Sequence, residues 1–239
     1  RAFLLTQIQK VASSADASFF ASQLNDAYLR PYAVSALAAI SGTEDCIRGL
    51  IKSAVAPDAA LASLACQKHM KDMESILLNW YPQSSGDIRK TIINALTTCG
   101  GAQSVQMLYR SSKAINFQYE PTGVTEGLLR LLENCEDASI VLPIARKLTS
   151  CKQLSVRCAA LRILLEKDSQ NAVSIVHAAL KDKNRQYRVT ALDNAPRVAG
   201  DAIFSQVTAR KYSNETLVDI VRWLGENKKQ EEIQTISEA

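Results

Sequence analysis

Between Ala172 and Gly200 the apolar side chains fall into two short helical registers separated by a polar turn. Ala172, Val173, Ile175, Val176, Ala179 and Leu180 recur at the three-and-four spacing of one helix face, leaving Ser174, Lys181 and Lys183 for solvent. After the turn Lys181 to Arg185, a second stripe of Tyr187, Ala191, Leu192 and Ala195 runs on to Gly200, a residue that tolerates the left-handed backbone of a helix terminus. The two stripes predict a helical hairpin.

Weaker copies of the second stripe recur along the chain, each a pair of small or apolar residues with another apolar residue three positions on. The second members of the pairs are Leu37, Leu61, Ile93, Leu129, Leu161, Leu192 and Val221, separated by 24, 32, 36, 32, 31 and 29 positions. Such a period suits two helices of about 10 to 14 residues with tight turns and is too short for a strand–helix–strand unit with long loops. The short first interval fits the irregularity of terminal repeats.

The pattern therefore predicts a first helix at 2–12 and hairpins at 16–28/31–41, 44–55/57–69, 71–80/87–99, 102–113/122–134, 138–149/154–166, 170–180/185–199 and 201–211/215–226, with a last polar helix to about 237. No segment reads as a strand, and Phe117–Tyr119, in the irregular connection Ser111–Gly123, reads as loop. Gly42, Gly100 and Gly225 are expected to end second helices as Gly200 does. Pro31, Pro57 and Pro82 sit near helix starts, where the missing N–H costs nothing, whereas Pro143 and Pro196 fall inside apolar stripes and should kink or shorten their helices.

On Asp182, Tyr187-Arg188, Ala191-Leu192 and Gly200 the chain resembles the HEAT-repeat family, whose units carry a turn Asp, a hydrophobic residue with Arg, an Ala-Leu pair and a Gly. Val156-Arg157 with Ala160-Leu161 and Leu164 is the next copy, followed by Ile88-Arg89 with Ile92-Ile93 and Leu96. The resemblance implies an all-α fold, a right-handed α-α superhelical solenoid of about seven HEAT-like hairpins in one array over 1–239, with armadillo-like superhelices the near alternative. It also implies a ladder of Arg–Asp hydrogen bonds between units, although only the copy at 182–188 carries both partners at the family spacing.

Composition narrows the function. No apolar run approaches the roughly 18 residues of a membrane span. The chain opens on Arg1-Ala2-Phe3-Leu4-Leu5 inside an amphipathic stripe, which reads as a fragment of a longer protein, so the compartment, cytoplasmic or exported, stays open. The six cysteines belong to a long helical chain and not to a short disulfide framework; Cys66, Cys99 and Cys135 repeat near one position of the unit and read as small buried hydrophobes. Cys151 and Cys158, seven apart, could share a helix face. Cys66 and His69 are half a metal site without a second half, and His177 reads as a structural histidine. None of the nucleophile-elbow, zincin, phosphate-loop or dinucleotide patterns occurs, so no catalytic, cofactor or metal residues are assigned.

Charge is uneven. From Arg146 to Arg222 fourteen Lys or Arg face seven Asp or Glu, a local excess larger than the whole-chain +4. This stretch could meet an anionic partner, or be solvated helix faces with Arg157 and Arg188 used between repeats. The leading expectation is a non-catalytic protein-interaction scaffold whose second helices line a concave surface. Helical offset from the anchors places Arg130, Arg162, Asp193, Arg197 and Arg222 there, with Trp223 as an aromatic anchor. Two alternatives stand beside it: an accessory repeat region of a larger, exported hydrolase, and nucleic-acid binding, including the base excision of a HEAT-like family of DNA glycosylases. Those glycosylases resemble the chain in architecture but use clustered aromatics near an Asp, whereas Trp80 and Trp223 are far apart in sequence.

Overall fold

The computed structural model describes residues 1–54, 58–199 and 212–227, with the backbone alone for 197–199. Among these residues the chain is all-helical, with no strand. It divides into two compact units, Arg1–Asn134 and Cys135–Ala239. The first contains α1 (Ala2–Gln9), α2 (Ala17–Ser22), α3 (Arg30–Ala39), α4 (Glu44–Ser53), α5 (Ala59–Gln67), α6 (Glu74–Trp80), α7 (Gly86–Cys99), α8 (Ala102–Ala114) and α9 (Val124–Asn134). The second contains α10 (Ala138–Leu148), α11 (Leu154–Lys167), α12 (Ala172–Ala179), α13 (Arg185–Ala199) and α14 (Asn214–Glu226).

Within the first unit α4 packs on α5, α6 on α7 and α8 on α9, while α1, α3, α5, α7 and α9 each contact the next in that series. In the second, α10 packs on α11 and α12 on α13, and α11, α13 and α14 contact in turn. Hairpins therefore pack through their second helices. The hydrogen bonds that leave a hairpin agree. Arg48 reaches Asp72, Lys68 reaches the Ile40 carbonyl and Asn134 reaches the Thr97 carbonyl, spans of 24, 28 and 37 positions that bracket the sequence period.

The buried register differs from the expected one by a residue in two copies. The first member of every pair is buried: Ala36, Ala60, Ile92, Leu128, Ala160, Ala191 and Ile220 are all at most 9% exposed. The residues four further on, Ile40, Leu64, Leu96, Leu132, Leu164, Ala195 and Leu224, are buried with them, as expected for side chains one helical turn apart. Of the predicted anchors Leu37, Leu61, Ile93, Leu161 and Leu192 are buried, but Leu129 and Val221 are only half-buried. In α9 the cause is Gly127, which lies so close to α7 that a Cβ there would stand 2.2 Å from Ile93 Cγ2. This approach turns Val124, Leu128, Leu131 and Leu132 inward and moves Leu129 to the edge. In α14 the indole of Trp223 and the carboxylate of Asp219 occupy the inner face and displace Val221 in the same way.

Punctuation residues behave unevenly. Pro31 lies in the first turn of α3, whereas α10 and α13 continue through Pro143 and Pro196 instead of ending before them. Gly42 takes the left-handed backbone, with φ at 77°. Gly100 ends α7 as expected, although in extended and not left-handed conformation, whereas Gly225 lies inside α14 and ends no helix. Phe117–Tyr119 is loop as expected, but α8 runs to Ala114, so the irregular connection starts later than Ser111. Pro57, Gly200, the helix at 201–211 and the last polar helix lie outside the described residues.

All six cysteines are free thiols. Only Cys99 joins the core; Cys66 and Cys135 are half-buried, and Cys151 sits in the turn before α11, so it shares no helix face with Cys158. Burial pushes the Cys99 thiol above its ordinary pKa.

Candidate partner-binding site

The buried pairs fix where the candidate side chains point. Two residues beyond the first member of a pair is about 200° around the helix, and this position is occupied by Arg130 in α9, Arg162 in α11, Asp193 in α13 and Arg222 in α14, all exposed. Arg130 belongs to the first unit and is tied to Glu126, one turn back, at 2.6 Å. In the second unit Arg162, Asp193 and Arg222 stand on successively contacting helices. The side chain of Arg197 lies outside the described residues.

Trp223 is not on this face. Its ring is 7% exposed, and its indole N–H donates to Asp193 Oδ1 at 2.9 Å. The ring thus contributes to the α13–α14 interface, with Asp193 as its polar partner, instead of standing out from the surface.

Much of the basic stretch from Arg146 to Arg222 is committed internally. Arg146 Nη2 donates to Asp168 at 2.8 Å, and Arg157 pairs with Asp182 while its Nε donates to the Thr149 carbonyl at 2.9 Å. Arg188 is 4% exposed; its Nε and Nη2 donate to Asp219 Oδ2 at 2.8 and 2.5 Å, and its Nη1 to the Asp182 and Lys183 carbonyls at 2.9 and 3.1 Å. Arg185 Nε reaches the other oxygen of Asp219 at 2.9 Å. Burial drives the Asp219 and Asp168 carboxyls up, but the hydrogen bonds and charges from Arg188 and Arg185, and from Asn171 and Arg146, outweigh it and hold both below the ordinary value. Arg–Asp pairs therefore join neighbouring hairpins in the second unit, Arg157 through the turn residue Asp182 and Arg188 through Asp219 within α14. The third copy departs from this pattern: Arg89 lies over the Tyr81 ring, 5.2 Å from its centroid, with no hydrogen bond to its buried Nε.

Tethers in the first unit use other chemistry. Glu74 Oε1 accepts from Gly101 N at 2.8 Å, Ser104 N at 3.0 Å and Ser104 Oγ at 2.6 Å. A carboxylate in α6 thus caps α8, whose own N-cap residue, Gly101, has no side chain to offer. No local signal in the sequence marks Glu74, because the donor group is defined only once the next hairpin is in place.

His177 is 1% exposed and its Nδ1 shares a hydrogen bond with the Tyr212 hydroxyl. Among the described residues no group of three or more His, Cys, Asp or Glu is placed to hold a metal ion, and no helix is long and apolar enough to cross a membrane. A scan against models of known protein families finds no match for the chain, and neither does a search among curated proteins.

Proposed function

We propose that the chain is a non-catalytic scaffold that binds a protein partner along the exposed faces of its second helices. Its hairpins are read as HEAT-like and as parts of a right-handed α-α superhelical solenoid of about seven units. The observation that carries this reading is the coincidence of register. The positions that bury their side chains recur in every copy, and the position opposite them presents Arg130, Arg162, Asp193 and Arg222 to solvent. In the first three copies this position is held by Ala38, Ala62 and Asn94, and Ala62 is fully buried, so the surface is best developed in the second unit, where Arg162, Asp193 and Arg222 stand on successively contacting helices. Arginine is a residue type often found at the energetic centres of protein contacts.

The test is affinity capture from the source organism with wild-type chain and with Arg162→Glu/Arg222→Glu as baits. Both substitutions are on exposed side chains and should leave the helix content unchanged in circular dichroism. The reading expects loss of partners recovered with wild type; identical recovery with the charge-reversed bait removes this face from the account.

A further inference from the structure

A cleft of about 490 Å3 opens in the second unit between the α10–α11 turn and the α12–α13 turn. Its floor is apolar, made by Leu161, Leu164, Ile175 and Ala178, and its two walls are residues 149–151 and Asp182. The volume falls within the roughly 300 to 1,000 Å3 range of sites that enclose small ligands or inserted side chains. Arg157 spans the cleft at one end, holding the Thr149 carbonyl on one wall and Asp182 on the other, with its guanidinium 4.4 Å from the Tyr187 ring centroid. The two walls are thus fixed relative to each other before anything binds.

The charge of this edge is one-sided. Asp182, the one carboxylate lining the cleft, is neutralised by Arg157. Lys152 follows the lining residue Cys151, and Lys181 and Lys183 flank Asp182; all three lysines are exposed. An apolar floor with exposed lysines at the positions next to the lining residues of both turns suits a ligand with an apolar group between negative charges. Nucleic acid fits less well, because single strands rely on free aromatic faces for stacking and the Tyr187 ring already lies against Arg157.

We propose that this cleft binds an acidic peptide segment of a partner protein, seating one large apolar side chain on the Leu161–Leu164–Ile175 floor while flanking carboxylates meet Lys152, Lys181 and Lys183. The inference rests on the protein-binding reading above but uses the turn edge and not the helix faces that carry Arg162 and Arg222.

The test is a fluorescence-anisotropy titration of the 239-residue chain with a fluorescein-labelled peptide carrying one Leu flanked on each side by Asp-Glu. Saturable binding is expected, weakened about tenfold or more by Lys152→Glu/Lys183→Glu and by rising salt. Ala178→Trp, at an exposed lining position, fills the cleft without touching the core and should abolish binding, as should replacing the Leu of the peptide by Ser. Arg162→Glu/Arg222→Glu should leave this peptide's affinity unchanged. The proposal is overturned by absence of saturable binding, by wild-type affinity in Ala178→Trp, or by oligothymidylate of equal charge binding as tightly. Loss of peptide binding only in Arg162→Glu/Arg222→Glu also overturns it, while leaving the helix-face reading intact.

Discussion

Replacing Asp219 by Ala strands a buried cation, and the structure allows the cost to be worked out. Arg188 and Asp219 are each 4% exposed at the side chain, and the carboxylate accepts two hydrogen bonds from Arg188 and one from Arg185. Without it, Arg188 keeps only the two backbone carbonyls held by its Nη1. Breaking a buried pair by removing one partner costs about 3 to 5 kcal/mol. With a urea slope near 2 kcal/mol per molar, typical of small domains, the midpoint should fall by about 1.5 to 2.5 M. The chain has two tryptophans, and each unit holds one: Trp80 in α6 and Trp223 in α14. Urea titrations in a Trp80→Phe background report on the second unit, and those in a Trp223→Phe background report on the first. The shift is expected in the Trp223 signal alone, because the bonds made by Arg188 and Asp219 reach no further than one hairpin. It also has a defined pH dependence. The Asp219 pKa lies below its ordinary 3.8, so the pair's contribution is complete above the unfolded value and is lost as pH falls through the lower folded value. The gap between wild type and variant should therefore close only in strong acid. A midpoint shift under about 0.5 M, or an equal shift of the Trp80 signal, refutes the reasoning. As a control, Arg188→Met with Asp219→Leu should recover much of the loss, since an apolar pair leaves no buried charge unpaired.

Further outcomes follow from single contacts. Leu192→Ala removes a side chain at 0% exposure and should cost about 2 to 5 kcal/mol in the Trp223 urea transition. Gly127→Ala and Gly49→Ala should have opposite signs: the first meets Ile93 Cγ2 at 2.2 Å, whereas nothing lies within 4 Å of the second inside α4. The expected changes in the Trp80 transition are a loss of about 1 to 3 kcal/mol at Gly127 and a gain of about 0.5 to 1 kcal/mol at Gly49. A stabilised Gly127→Ala would mean that α7 and α9 do not approach as described. Glu74→Ala removes the cap of α8 and should cost about 1 to 2 kcal/mol, with faster hydrogen exchange at the amides of Gly101 and Ser104 in particular.

The helices were legible because hairpins of this kind have few ways to bury an Ala- and Leu-rich face. Boundaries such as Arg185–Ala199 and Leu154–Lys167 follow from turn residues and stripes that agree with each other. Rotation about the helix axis was less legible. A pair such as Leu128-Leu129 contains two residues of equal hydrophobicity, and which one turns inward is decided by the contact of Gly127 with Ile93 in another helix. Trp223 illustrates the same limit for the candidate site: the offset from Val221 suggested an outward ring, but Asp193 offers its indole N–H a partner on the inner side. The polar tethers were visible only as residue types. Arg188 was recognisable as an interrepeat donor, whereas Asp219 sits 31 positions away in a stretch with no motif, and Glu74 caps a helix that begins 28 positions later.

Bonds that join each hairpin only to its neighbour make chain length a modular quantity. The polar partners differ from junction to junction, Glu74 with Ser104 in one and Arg157 with Asp182 in another, so duplicating a whole hairpin would keep the apolar faces in register but leave the new junction without its polar bond. A single inserted residue within α13 is another matter: it would turn everything beyond it by about 100°, carrying Ala195 off the face it shares with Ala191. A change of a whole hairpin is therefore expected to disturb the packing less than one extra residue inside a helix.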